Sequence, residues 1–259
     1  MQNILVALLI LVSCVGLLFS QSMNISKKDG TTESYKLSDI QTISFSMEES
    51  GTVTDIDGNT YLTIKIGKQW WMAENLKVTH YRNGEALPNI TDNSAWENLT
   101  AGAYCNYNND EIHVDTYGRL YNWYAVNDSR GLAPEGWHVP SDDEWKDVEM
   151  FLGMSRTEAD AAMRGRGTDE SGKLKEMGTV HWRNPNVGAT NESGFTALPG
   201  GKRYEGGPYD EIEITAEFWT STETGSEHAW LRILTHNLPQ IARVDHWKSR
   251  GVSVRCVKE

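Results

Sequence analysis

Three periods of apolar and polar residues succeed one another along the chain. The first is continuous: Ile4 to Phe19 is apolar apart from Ser13, Cys14 and Gly16, and no charged side chain occurs from Met1 to Ser26. A membrane-spanning helix needs about 20 apolar residues, so this shorter run reads as the apolar region of a secretion signal, although Met1-Gln2-Asn3 lacks the usual Lys or Arg. The second period is alternation by two. Thr52-Val53-Thr54 and Tyr61-Leu62-Thr63-Ile64-Lys65-Ile66 flank Asp57-Gly58, a two-residue hairpin signal, and Gly67-Lys68 marks another turn before Trp70-Trp71-Met72. Together they predict an antiparallel meander. The third period is helical: the capping box Ser141-Asp142-Asp143-Glu144 leads into Trp145, Val148 and Leu152 until Gly153 stops the helix. The acidic residues at this helix start are explained by the helix dipole without catalysis. A second capping box, Ser155 to Glu158, predicts another helix to roughly Arg164. From Ser193 onward alternation returns around Phe218-Trp219-Thr220, Ala229 to Leu234 and Val252-Ser253-Val254-Arg255, behind the turn Leu198-Pro199-Gly200-Gly201.

This order predicts an α+β chain with two helices, short and mostly antiparallel strands, and a strand-rich carboxy-terminal half. Small residues at Ser20 and Ser22 place a signal peptide over 1–22. Leu11-Val12-Ser13-Cys14 is similar to a bacterial lipoprotein box, which would put a lipid on Cys14; the apolar Val15 to Phe19 beyond it favours the later cut. Residues 23–50 form a lead-in with a turn at Lys27-Lys28-Asp29-Gly30, apolar residues at Tyr35-Lys36-Leu37 and Ile40 to Phe45, and a linker over Met47 to Gly51. A hairpin this small buries too little alone, so it either docks on the domain that follows, residues 51–259, or stays loosely attached.

Composition narrows the picture. With ten Trp, ten Tyr, five Phe, 23 Gly and seven Pro in 259 residues, strands and turns around aromatic rings are expected rather than a helical bundle, and all ten Trp lie between Trp70 and Trp247. The net charge of −12, with basic residues scattered except for Lys248 and Arg250, argues against nucleic acid as a partner. Once the leader is cut, Cys105 and Cys256 remain, an even pair that predicts a disulfide in an exported protein; two buried free thiols are the alternative.

Candidate chemistry is sparse. No Gly-x-Ser-x-Gly elbow is present, and the His residues at 80, 113, 138, 181, 228, 236 and 246 show no zinc-site spacing, so neither a metal nor a cofactor is expected. Asn106, Asn108, Asn109, Asp110 and Glu111 suggest calcium, as do Asp55, Asp57 and Asn59, but turn chemistry explains both groups. Glu211 and Glu217 are a carboxylate pair of undetermined separation, which leaves an enzyme acting on polysaccharide or peptide as an alternative. The favoured site is a binding face of Tyr204, Tyr209, Glu223, His228, His236, Asn237, Asp245, His246 and Trp247, where rings for stacking lie among polar groups that orient hydroxyls, while Trp219 and Trp230 read as core.

Gly58-Asn59-Thr60-Tyr61, Gln69-Trp70-Trp71-Met72-Ala73-Glu74-Asn75-Leu76, Gly136-Trp137-His138-Val139-Pro140-Ser141, Glu144-Trp145, Gly194-Phe195-Thr196-Ala197-Leu198-Pro199-Gly200-Gly201, Phe218 to Glu223, His228-Ala229-Trp230 and Gly251 to Val257 occur in this order. Over residues 53 to 258 the chain resembles the Fibrobacter succinogenes major paralogous domain, a secreted bacterial family. The resemblance implies a C-type lectin-like fold shared with formylglycine-generating proteins. Only Cys256 lies in the half where those enzymes carry a reactive cysteine pair, and the Glu-Pro-Asn and Gln-Pro-Asp triplets of calcium-dependent lectins are absent. The expectation is therefore a non-enzymatic, secreted or surface-attached module for an extracellular glycan or protein, with membrane contact only through a lipid on Cys14; a structural surface protein is a further alternative.

Overall fold

The computed structural model describes residues 22–26, 31–36, 50–162 and 165–258; the apolar leader, Cys14, the Lys27 to Gly30 turn, the Ile40 to Phe45 run and Arg164 lie outside them. Contacts divide the chain into two units, Met1–Met47 and Glu48–Glu259. In the first, β1 (Ser22–Ser26) and β2 (Thr32–Lys36) pair antiparallel with Met23 opposite Tyr35.

The second unit opens with β3 (Ser50–Thr54), β4 (Thr60–Ile66) and β5 (Gln69–Met72). The β3–β4 connection is longer than the two residues expected. The Asp55 carboxylate accepts from Asp57 N, Asn59 N, Asn59 Nδ2 and Tyr61 Oη at 2.6–2.9 Å, and so organises Asp55 to Asn59 into a loop. Alternation in β4 follows burial, with Tyr61 and Thr63 inside and Leu62 60% exposed between them.

Then come α1 (Asn93–Glu97), β6 (Tyr104–Cys105), α2 (Val114–Tyr117), β7 (Leu120–Tyr121), α3 (Trp123–Val126), α4 (Asp142–Phe151), α5 (Arg156–Asp160) and α6 (Glu170–Leu174). Both capping boxes form, at Ser141–Glu144 and Ser155–Glu158. Two helices were too few. The helices beyond α4 and α5 have four or five residues, too short to show a 3.6-residue period, and local caps such as Asp92 on α1 and Asn122 on α3 start them. The α5 helix also stops earlier than expected, because Ala161 is already extended.

The strand-rich half contains β8 (Gly200–Arg203), β9 (Tyr209–Ile212), β10 (Thr215–Glu223), β11 (His228–Thr235), β12 (Ala242–Trp247) and β13 (Val257–Lys258). They form a five-stranded sheet in the order β12-β11-β10-β8-β9, and β13 closes a four-stranded sheet in the order β13-β5-β4-β3. The fold is α+β. Neighbouring residues of the central strand serve different cores: Trp219 packs with Leu231, Val254 and Cys256, whereas Phe218 packs with Trp71, Trp145 and Phe195. In that second core Trp145 lies 4.9 Å from Trp71, 5.6 Å from Phe195 and 5.7 Å from Phe218, edge-on or tilted, and the buried Arg255 guanidinium lies 4.1 Å from the Phe195 ring.

Buried charge ties α4 to the sheet. Asp142 and Glu149, seven residues apart, share one helix face. Glu149 accepts from Arg166 at 2.7 and 3.0 Å and from Arg232 Nε at 2.6 Å, while Asp142 accepts from Arg232 Nη1 at 2.8 Å and from Arg243 at 2.7 and 2.8 Å. The helix-start acids therefore do more than favour a dipole. One of them anchors two strands.

The expected disulfide is not formed. Cys105 is a free thiol packed with Trp96 and Tyr107, and Cys256 is a free thiol in the separate core around Trp219. Parity suggested a pair, but a bridge needs Cα atoms within about 7 Å and these residues belong to different clusters.

Candidate functional site

The β11–β12 hairpin builds the most exposed aromatic surface of the strand-rich half. Their antiparallel register sets His228 opposite Trp247 and Trp230 opposite Asp245, so these four side chains share a sheet face at the edge strand β12. The Trp247 ring is 44% exposed and its centroid lies 4.3 Å from that of His228. Asp245 is exposed and accepts from Thr224 Oγ1 at 3.3 Å. Glu223, exposed at the end of β10, accepts from Lys248 Nζ at 2.7 Å. Four expected site residues, Glu223, His228, Asp245 and Trp247, thus meet at one corner.

The other five do not join them. His246 precedes Trp247 and points to the opposite sheet face, where its Nδ1 accepts from Arg250 Nη1 at 3.3 Å. Tyr204 lies in the same neighbourhood, its ring centroid 5.2 Å from the Arg250 guanidinium and 5.0 Å from Lys202 Nζ. Tyr209 packs against the third core: its hydroxyl donates to Asn109 Oδ1 at 2.6 Å, its ring lies 5.5 Å from Tyr107, and burial together with nearby Cys105 raises its pKa. His236 and Asn237 follow the far end of β11; eight residues of strand separate His236 from His228 by about 27 Å.

Two residues at the corner had no signal in the sequence. Lys248 is buried, and its ammonium lies 4.5 Å from the Trp123 ring while donating to Glu223 and to Ser226 O. Trp123 Nε1 donates to Thr220 O at 2.9 Å, and Trp123 N donates to Lys248 O. More than a hundred residues of chain separate Trp123 from Lys248. No local pattern couples them.

The remaining candidate groups make contacts within the protein. Lys202 Nζ lies 2.5 Å from Glu211 and 3.3 Å from Glu217, and Arg250 makes two further bonds to the buried Glu217, so that carboxylate pair holds cations. In the Asn-rich stretch Arg119 takes the place of a metal ion: it donates to Asn106 and, at 3.0 Å, to Glu111, while Asn108 and Asn109 adopt positive φ in the turn. Among the described residues no group of three or more His, Cys, Asp and Glu side chains is placed to hold a metal ion, and no helix is long and apolar enough to cross a membrane.

The sequence motifs converge in the cores rather than at this corner. Trp71, Trp145, Phe195 and Phe218 form one aromatic cluster, and Arg255 fastens it by donating to Asn75 Oδ1 at 2.9 Å and Thr196 O at 2.8 Å. Residues 64–258 match the sequence profile of the Fibrobacter succinogenes major domain. The chain belongs to that family. No curated protein and no solved structure matches it. Membership in the Fibrobacter succinogenes major domain family is written largely in packing residues, which specify a scaffold and leave its activity open.

Proposed function

We propose that this chain is a non-enzymatic, secreted or surface-attached module with a C-type lectin-like fold that binds an extracellular ligand, a glycan in preference to a protein. The observation that carries the reading is the Trp247 ring, 44% exposed at a sheet edge and backed by His228, with the Asp245 and Glu223 carboxylates beside it. A flat ring offers a stacking surface for the C–H face of a sugar, and flanking carboxylates accept from its hydroxyls. The mixed short helices and strands support the fold reading. Export rests on the apolar leader, with a lipid on Cys14 as the alternative anchor.

The test is a screen of the full chain against immobilised glycans, with calcium and again with chelator. Saturable binding that Trp247→Ala abolishes, with an unchanged unfolding midpoint, is the expected result. Binding that survives Trp247→Ala rejects this face. Absence of any glycan hit moves the reading to a protein ligand or a structural role.

A further inference from the structure

Trp123, covered on one side by Lys248, also lines an open cleft of about 360 Å³ whose other walls are residues 100–102, Tyr124 of α3, and Asn127, Asp128 and Ser129 just beyond that helix. That volume falls within the size range of small-ligand sites, roughly 300–1,000 Å³. The cleft is held open by its frame. Fully buried Asn122 accepts from Ala103 N at 3.0 Å and Ala125 N at 3.1 Å and donates to Ala101 O at 2.9 Å, stitching the 100–102 loop to α3. Gly102 lies directly on that helix, because a Cβ there would sit 2.0 Å from Tyr81 Oη and 2.9 Å from Ala125 Cα.

The chemistry of the walls selects the ligand. Among the described residues the side chains of Thr100, Tyr124, Asn127 and Ser129 make no hydrogen bond to protein, so an amide and three hydroxyls are free above the buried Trp123, which is only 3% exposed. The Asp128 carboxylate is already matched: Arg130 donates to it at 2.7 and 2.8 Å and holds it at about 2. Tyr124 faces Glu227, and burial followed by that carboxylate raises its hydroxyl pKa. Arg130 also binds Glu85 at 2.7 Å, and none of the described residues that line the cleft is a Lys or Arg that would attract an anionic ligand. Resting on the binding role proposed above, we infer that this cleft is a subsite for an uncharged sugar residue of the bound glycan.

Isothermal titration of the full chain with neutral cello-, xylo- and manno-oligosaccharides, and with oligogalacturonate for comparison, tests it. Asn127→Ala combined with Ser129→Ala removes two exposed hydrogen-bonding groups; neutral oligosaccharide affinity should fall by about tenfold or more, with the unfolding midpoint unchanged. Tyr124→Phe should weaken binding in the same direction. Unchanged affinity in both variants, preference for oligogalacturonate, or no neutral oligosaccharide bound at millimolar concentration overturns the subsite. Loss in Trp247→Ala without loss in the cleft variants rejects the subsite and keeps the Trp247 face. Loss in the cleft variants alone supports the subsite and rejects that face.

Discussion

Glu149→Gln is the sharpest test of how this fold is held together. Glu149 is fully buried on α4 and is the one carboxylate, among the described residues, that pairs with the fully buried Arg166; Arg232 retains Asp142 when Glu149 is changed. Glutamine keeps the volume and one acceptor oxygen, which can still serve Arg232 Nε and Arg166 Nη2, but removes the charge and turns its NH2 toward Arg166 Nη1. Burial already lowers the Arg166 pKa against the pull of Glu149, so that cation gains little from its surroundings once the carboxylate is gone. Breaking a buried ion pair on one side costs about 3–5 kcal/mol, a large part of the roughly 5–15 kcal/mol by which domains are stable. At about 2–4 °C per kcal/mol for a domain of this size, the melting temperature should fall by about 6–20 °C. Urea titration at neutral pH would read the same loss as a lower midpoint at constant slope. The control is Arg156→Ala, which removes an ion pair to Asp160 whose side chains are 65% and 45% exposed, and should leave the urea midpoint almost unchanged. A loss below about 1 kcal/mol in Glu149→Gln would show that the buried network does not secure α4 to the sheet.

Three further outcomes are expected. Burial raises the Asp142 carboxyl, but Arg243 and Arg232 outweigh it and hold the folded pKa well below the usual range; the stabilisation it gives is complete above about pH 5 and lost as pH falls below about 4. Asp142→Asn should flatten the acid limb of the stability–pH curve, and equal slopes in both proteins would refute this. Burial pushes the Cys105 thiol up to about 11 and the Cys256 thiol higher, so a thiol reagent at pH 8 should label neither in the folded protein and both in denaturant; no labelling in denaturant would restore the disulfide. Gly201→Ala should destabilise by about 1–3 kcal/mol or more, because φ is +64° and the new Cβ would sit 2.6 Å from Asp210 O and Ile212 N; an unchanged urea midpoint would contradict it.

The sequence by itself determined what is local. Alternation in Tyr61 to Ile66, the turn at Gly67-Lys68 and both capping boxes needed only neighbours within a few residues, and each formed. The family was legible for a related reason: its aromatic and glycine positions are packing positions, each distinctive along the chain. The tertiary structure alone decided the β3–β4 loop built on Asp55, the four helices with too few turns to show a repeating pattern, and the separation of Cys105 from Cys256. It also divided the candidate site. Strand alternation turns His246 away from Trp247, and the length of β11 removes His236 from His228. Lys248 meets Trp123, and Glu149 meets Arg232, across stretches of chain that no periodicity spans. Periodicity reports which face of an element is buried. Which faces meet, and which groups remain for a ligand, depends on side chains distant in sequence filling one close-packed volume.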